Sequence, residues 1–288
     1  MLESDHPPRS RPKETSRTMP SVPPRDWTAI DWTKVDGDAA ARWIAVLPLA
    51  ATEQHGPHLP LETDVMIGQA YLARVREYLP DATPATFLPI ERIGISTEHV
   101  DFAGTQTLST EAALRQWKAI GESVARAGVR KIVIVTSHGG NAAAMTLVAQ
   151  ELRAYHRMLA VTTSWFRFGT PAGLFPAEEL RHGIHGGAVE TSIMLARYKE
   201  HVRLDAIADF RPRSIAIEKQ YRWLSAQRPA PFAWQTQDLH PSGAVGNATL
   251  ASPEKGEALL DHGARGFVEL LDDVDKFDVR DLSRGPGK

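Results

Sequence analysis

The stretch Lys131-Ile-Val-Ile-Val-Thr136, followed at once by Ser137-His-Gly-Gly-Asn141 and then by the helix-forming residues 142–155, decides the fold. A short apolar, β-branched run without polar alternation suits a strand covered on both faces. Gly139 and Gly140 permit a sharp turn into the helix. Strand, turn and helix in that order form the crossover unit that parallel strands require. The same reading extends outward. Trp43-Ile-Ala-Val-Leu-Pro-Leu-Ala50 is a second buried strand, and 86–90 and 160–165 read as further strands. Helical spacing is expected over 65–78, ended by Pro80, and from the capping Ser109 to about Ala127, where Gly128 stops it. Two more helices are expected over 187–198 and 253–271, and 205–243 is loop-rich. Alternating helices and strands predict an α/β fold of three layers, with a mostly parallel β-sheet flanked by helices.

Residues 27–288 are expected to form a single domain. Residues 1–26 hold six prolines and no apolar stretch, so a disordered N-terminal tail is expected, with Met19 an alternative start. The chain has 288 residues and no cysteine, which excludes disulfides, thiolate zinc sites, iron–sulfur clusters and a thiol nucleophile. Any metal must be held by His, Asp and Glu. A net charge of −2 gives no basis for binding nucleic acid or an anionic membrane. The apolar run at 44–51 has eight residues, short of the about 18 that a membrane span needs. A cytoplasmic protein is expected.

Three polar clusters follow strand-like runs, and ligands of open α/β sheets sit outside the carboxyl ends of the strands. The first, Thr52-Glu-Gln-His-Gly-Pro-His-Leu-Pro-Leu-Glu-Thr-Asp64, packs Glu53, His55, His58, Glu62 and Asp64 into a loop. Such side chains suit Zn, Mn or Fe ions, although a solvated surface loop has the same composition. The second, Ser137-His-Gly-Gly-Asn141, puts His138 on the rim, as a ligand or as a simple helix cap. The third, His182-Gly-Ile-His-Gly-Gly-Ala-Val-Glu-Thr-Ser192, sets His185 in a glycine turn and Glu190 in an apolar helix. Such a carboxylate is buried, and so either binds a metal or pairs with an arginine.

These motifs, with Ser96-Thr-Glu-His99, Phe102-Ala-Gly-Thr105 and Gly243…Gly246-Asn-Ala-Thr-Leu-Ala-Ser-Pro-Glu-Lys-Gly-Glu257, resemble those of the creatininase (creatinine amidohydrolase) family, in the family's order, from about Trp43 to Leu270. The resemblance implies an α/β fold, two divalent metal ions per subunit (Zn, with Mn or Fe as alternatives), and hydrolysis of a C–N amide bond in a small-molecule substrate. It also implies a homo-oligomer, with a hexamer as the expected form. Glu53 matches the family's ligand to one metal, His55 the ligand to the other, Asp64 the bridging carboxylate and His138 a further ligand. His185 matches a catalytic histidine beside the substrate. Creatininases proper carry a metal-binding glutamate where this chain has Gly140, and Glu190 is assigned as its replacement. They also carry a glutamate where Ile184 stands and a tryptophan where Arg181 stands, so creatinine is an uncertain substrate. His58, Glu98, His99, Trp165 and Arg181 are the candidates for orienting ligands or touching substrate. Relatives lacking the creatinine-specific residues include a formamide-cleaving deformylase of flavin and deazaflavin biosynthesis and a peptidase of the mycofactocin pathway. A competing expectation of another class is a catalytically silent ligand-binding or assembly subunit, which metal content would separate from an enzyme. A nucleotide-binding protein is disfavoured, since neither G-x-G-x-x-G nor a P-loop lysine pattern is present.

Overall fold

The computed structural model describes residues 22–35 and 37–282. Its centre is a four-stranded parallel sheet of β1 (Ile44–Leu49), β2 (Ala85–Phe87), β3 (Lys131–Thr136) and β4 (Leu159–Ser164), in the order β2-β1-β3-β4. All six residues of β1 and of β3 are buried, as their unbroken apolar runs require. Pro48 is tolerated inside β1 because pairing with β2 covers only Ile44–Val46, so its missing N–H removes no ladder bond on that side.

The principal helices are α1 (Thr63–Tyr78), α2 (Thr110–Arg126), α3 (Ala142–His156), α4 (Ala177–His182), α5 (Ala188–Arg197), α6 (Ser214–Gln220) and α7 (Pro253–Lys276). Side chains alternate across a strand, and the two faces of the sheet build two cores. Ile44, Val46, Val133 and Val135 pack with α1, α5 and α7. Ala45, Leu47, Ile132 and Ile134 pack with α2 and α3. The fold is therefore the three-layered α/β arrangement expected. The last helix runs five residues beyond the expected end at 271, with Leu271 and Val274 still buried.

Among the described residues no helix is long and apolar enough to cross a membrane. Residues 1–21 of the expected tail lie outside the described residues. Its last part does not behave as a tail. The Arg25 guanidinium donates to the carbonyls of Thr83 at 2.6 Å and Pro80 at 2.7 Å, the Phe87 N–H donates to the Arg25 carbonyl, and Asp26 pairs with Arg76. Proline content marked this segment as disordered, but the unpaired edge of β2 supplied partners that composition cannot reveal.

Chain direction fixes where a ligand sits. From β1 the chain crosses to β2 on one side, and from β3 to β4 on the other. This reversal opens a crevice beyond the carboxyl ends of β1 and β3, the place where open α/β sheets bind ligands.

Candidate metal centre

Residues from five segments converge on that crevice. Glu53 and His55 come from the loop after β1, Asp64 from the first turn of α1, His138 from the end of β3, His185 from the turn before α5, and Glu190 from the first turn of α5. All six are buried. His138 Nδ1 lies 3.2 Å from Glu53 Oε1 and 3.4 Å from Asp64 Oδ2. His55 Nε2 lies 3.5 Å from Asp64 Oδ1 and 3.9 Å from Glu190 Oε2. Three triads result among the described residues, Glu53–Asp64–His138, His55–Asp64–Glu190 and Glu53–His55–His185, each with its donor atoms within 4.8 Å of one another. The first two share Asp64, one carboxylate oxygen facing each.

Hydrogen bonding fixes the imidazole tautomers. His55 Nδ1–H donates to the Glu53 carbonyl at 3.1 Å, and His138 Nε2–H donates to the Ile95 carbonyl at 2.8 Å. A carbonyl only accepts, so these nitrogens carry the protons and the other nitrogen of each ring faces the carboxylates. No hydrogen bond reaches either Glu53 carboxylate oxygen, His55 Nε2 or Asp64 Oδ2. Buried carboxylates left this way cost several kcal/mol each unless a cation compensates them. Oxygen and imidazole donors, each imidazole held from behind by a backbone carbonyl, suit Zn, Mn or Fe ions.

With no metal, protons take the place of cations. Burial depresses His55, but the charges of Asp64, Glu190 and Glu53 outweigh it and raise its pKa to about 9. His138 is likewise depressed by burial yet lifted well above the usual imidazole range by Glu53 and Asp64. Burial raises Asp64, but His55 and His138 bring it down to about 2. Burial raises Glu190 to about 7. Metal binding must displace these protons.

His185 stands between two rings, 4.1 Å from His55 and 4.2 Å from His99 by centroid. Its Nε2–H donates to the Gln54 carbonyl at 2.5 Å, and its Nδ1 lies 3.6 Å from Glu53 Oε1. Burial, then the charges of His55 and His99, hold its pKa well below the ordinary value, so the ring is neutral. The Gln54 amide donates to His99 Nδ1 at 2.7 Å and to the Gly243 carbonyl at 3.0 Å. That leaves His99 Nε2–H facing Glu53 Oε1 at 3.3 Å. Sequence reading passed over Gln54, although it stands between two named residues. Only the fold shows it tying the β1 loop to the loops that carry His99 and Gly243.

The remaining candidates divide. Glu98 lines the cavity, 3.7 Å from His138 Nε2, with its pKa raised by burial, and His99 lines it too. His58 is fully buried below the site; it bonds Thr191 Oγ1 at 2.9 Å and stacks on Phe210. Burial, then the charge of His55, lowers its pKa to about 4, so it braces α5 as a neutral ring. Two expectations are corrected. Trp165 does not line the cavity. It is core, stacked on Tyr71 at 4.8 Å and tilted against Phe267 at 4.8 Å, while its neighbour Phe166 takes the lining position. Arg181 also lies elsewhere: its guanidinium is exposed and pairs with Glu218 at 2.7 and 2.9 Å. An amphipathic helix turns one side out, and Arg181 falls on the outer side of α4.

Gly140 has a geometric reason. A Cβ there would lie 2.3 Å from the Ile95 carbonyl oxygen and 2.4 Å from His138 Nε2. No side chain fits without moving the carbonyl that orients His138. Glu190, approaching from the opposite wall, brings a carboxylate oxygen to the triad of His55 and Asp64.

A doubly wound sheet whose crevice gathers buried carboxylates and imidazoles around a cavity of about 390 Å³ defines a hydrolytic enzyme of the α/β class. The model of the creatinine amidohydrolase family matches residues 28–271, and the chain belongs to that creatininase family, hydrolases that act on carbon–nitrogen bonds. It is 31 % identical over 252 residues to the mycofactocin precursor peptide peptidase of Mycobacterium ulcerans, covering 84 % of this chain and 87 % of that one. It is 29 % identical over 249 residues to the creatinine amidohydrolase of Pseudomonas putida, covering 81 % and 90 %. A mutant creatininase of Zn-Zn type has the same fold, with a TM-score of 0.68 and 25 % identity over 87 % of this chain and 98 % of that one.

Proposed function

We propose that the protein is a metal-dependent amidohydrolase that cleaves the C–N amide bond of a small substrate by addition of water. The observation that carries this reading is the set of buried, unpartnered donor atoms on Glu53, His55 and Asp64. Glu53 and His138 would hold one divalent ion, His55 and Glu190 the other, with Asp64 between them. When bound, such a pair supplies Lewis-acid polarisation of a carbonyl and acidifies water toward neutral pH. The carbonyls of Glu53 and Ile95 hold His55 and His138 in the ligating tautomer, and His99 Nε2 faces Glu53 Oε1 at 3.3 Å. Neutral His185, its Nδ1 free to accept, takes the proton released as water adds to the carbonyl carbon and returns it to the departing nitrogen. That atom accepts rather than donates, so proton transfer suits His185 better than donation to an oxyanion.

A short peptide is favoured over creatinine as the substrate. The mycofactocin precursor peptide peptidase is among the relatives, and Ile184 stands where creatininases carry a substrate-handling glutamate. The family resemblance also leads us to propose a cytoplasmic homo-oligomer, a hexamer, which light scattering on purified protein checks. The central test is His55→Ala, with metal analysis and turnover of a panel of lactams, formamides and short peptides. The variant should lose one ion and nearly all turnover. Full metal content with full activity would refute the assignment.

A further inference from the structure

A second cavity adjoins the metal centre. It has a volume of about 250 Å³ and shares Phe166, Ile184 and Glu190 with the cavity over the ligands. Its apolar lining is Tyr71, Phe166, Leu180, Ile184, Val189 and Leu259, and Glu190 is the one charged residue among the described residues that line it. The floor is rigid: Tyr71 and Leu259 are buried, and Tyr71 is stacked flat on Trp165, with 5° between the rings. The mouth is marked by Phe166 and Leu180, both apolar and both exposed, at 38 % and 47 %. Glu190 apart, no residue of the ligand set or the proton relay lines this hollow. Its size is ample for an aromatic ring, since an apolar cavity of about 150 Å³ already takes up benzene.

We infer that this hollow is a specificity subsite that takes an apolar, aromatic-sized substituent attached next to the scissile amide. The inference rests on the amidohydrolase reading and names the substrate class of that same site. The geometry follows from the shared wall. Glu190 touches the hollow and the ligand triad together, so a group seated on Tyr71 and Leu259 leaves its amide over the metal ligands. Creatinine, compact and polar, would leave the hollow unfilled, and a charged substituent would leave its solvation shell for an apolar wall with no partner but a carboxylate. The favoured substrates are amides or short peptides with an aromatic or branched aliphatic group beside the bond that is cut.

The test uses the full-length, metal-analysed protein. Hydrolysis of N-methylacetamide, N-benzylacetamide and N-methyl-phenylacetamide is compared, and N-benzylacetamide and N-methylacetamide are titrated by calorimetry. One added methylene in a hydrophobic pocket is worth about 10-fold or more, so one of the two aromatic amides should exceed the methyl amide by roughly 100-fold in kcat/KM. Its binding should show the negative heat-capacity change of apolar burial. Leu180→Asp, at the exposed mouth and away from the ligands, should lower the ratio of kcat/KM for the aromatic amide to that for N-methylacetamide by about 10-fold or more. Equal rates and equal binding for aromatic and methyl amides overturn the subsite. Selective binding of an aromatic amide, lost in Leu180→Asp, with no amide hydrolysed, upholds the subsite and overturns the amidohydrolase reading.

Discussion

Gly140→Ala adds one methyl group at the most crowded point of the site. The new carbon would stand 2.3 Å from the Ile95 carbonyl oxygen, 2.4 Å from His138 Nε2 and 2.8 Å from Glu98 Oε1. The first neighbour is backbone and the second is fixed by its bond to the first, so neither yields as a loose side chain would. Overpacking of this kind costs about 1–3 kcal/mol. Breaking the buried His138–Ile95 hydrogen bond adds about 1–3 kcal/mol. For a chain of this size about 1 kcal/mol moves the melting midpoint by about 2–4 °C, so a fall of roughly 5–20 °C is expected. His138 also loses the carbonyl that holds its ligating tautomer, which lowers metal affinity by about 10–100-fold. Differential scanning calorimetry and chelator competition read the two effects. Gly139→Ala is the internal control, because a Cβ there meets nothing within 4 Å. Its midpoint should stay within about 2 °C of the parent. Should Gly140→Ala and Gly139→Ala melt together with equal metal content, the crowding argument fails, and with it the geometric support for the proposal that Glu190 takes the place of a carboxylate at 140.

Stripping the protein with a chelator should make stability fall as pH rises from about 7 to 9. His55, raised from 6.5 to about 9, contributes stability that is complete below pH 6.5 and lost as pH passes through 9, worth about 3 kcal/mol at most. Below about pH 6.5 the contributions oppose one another: Glu190, raised by burial to about 7, loses stability as pH rises, while His58, His99 and His185, lowered by burial, gain it. A metal-free melting midpoint that is flat or rising from about pH 7 to 9 contradicts this. Trp165→Phe should lower stability by about 1–3 kcal/mol through lost packing on Tyr71 and Phe267, with kcat/KM for a small amide unchanged; a selective rise in KM would return Trp165 to the substrate pocket. Gln54→Leu should keep both metal ions yet lower kcat by about 10-fold or more, because His99 loses its donor. Metal loss in that variant would instead make Gln54 a structural support of the ligands.

What the sequence determined is local. Apolar runs at 44–49 and 131–136 have no stable place except inside a sheet, and the turns after them must carry their polar residues to the strand ends. The strands, their order of crossover helices and the polar clusters could therefore be read from spacing alone. The segment 22–26 could not, because its partners lie on the unpaired edge of β2, 55–60 residues away. Nor could the fates of Trp165 and Arg181: neighbouring residues diverge by about 120° on the 3-10 turn that carries Trp165 and about 100° on the α-helix that carries Arg181, and one step in phase separates a cavity wall from the core or from solvent. The meeting of Glu53, Asp64, His138 and Glu190 is tertiary in origin. It depends on the reversal of strand order between β1 and β3, which places the ends of two strands and the starts of two helices around one crevice. Gly140 belongs to both levels, since the sequence shows that a side chain is absent and the Ile95 carbonyl shows why none can be there.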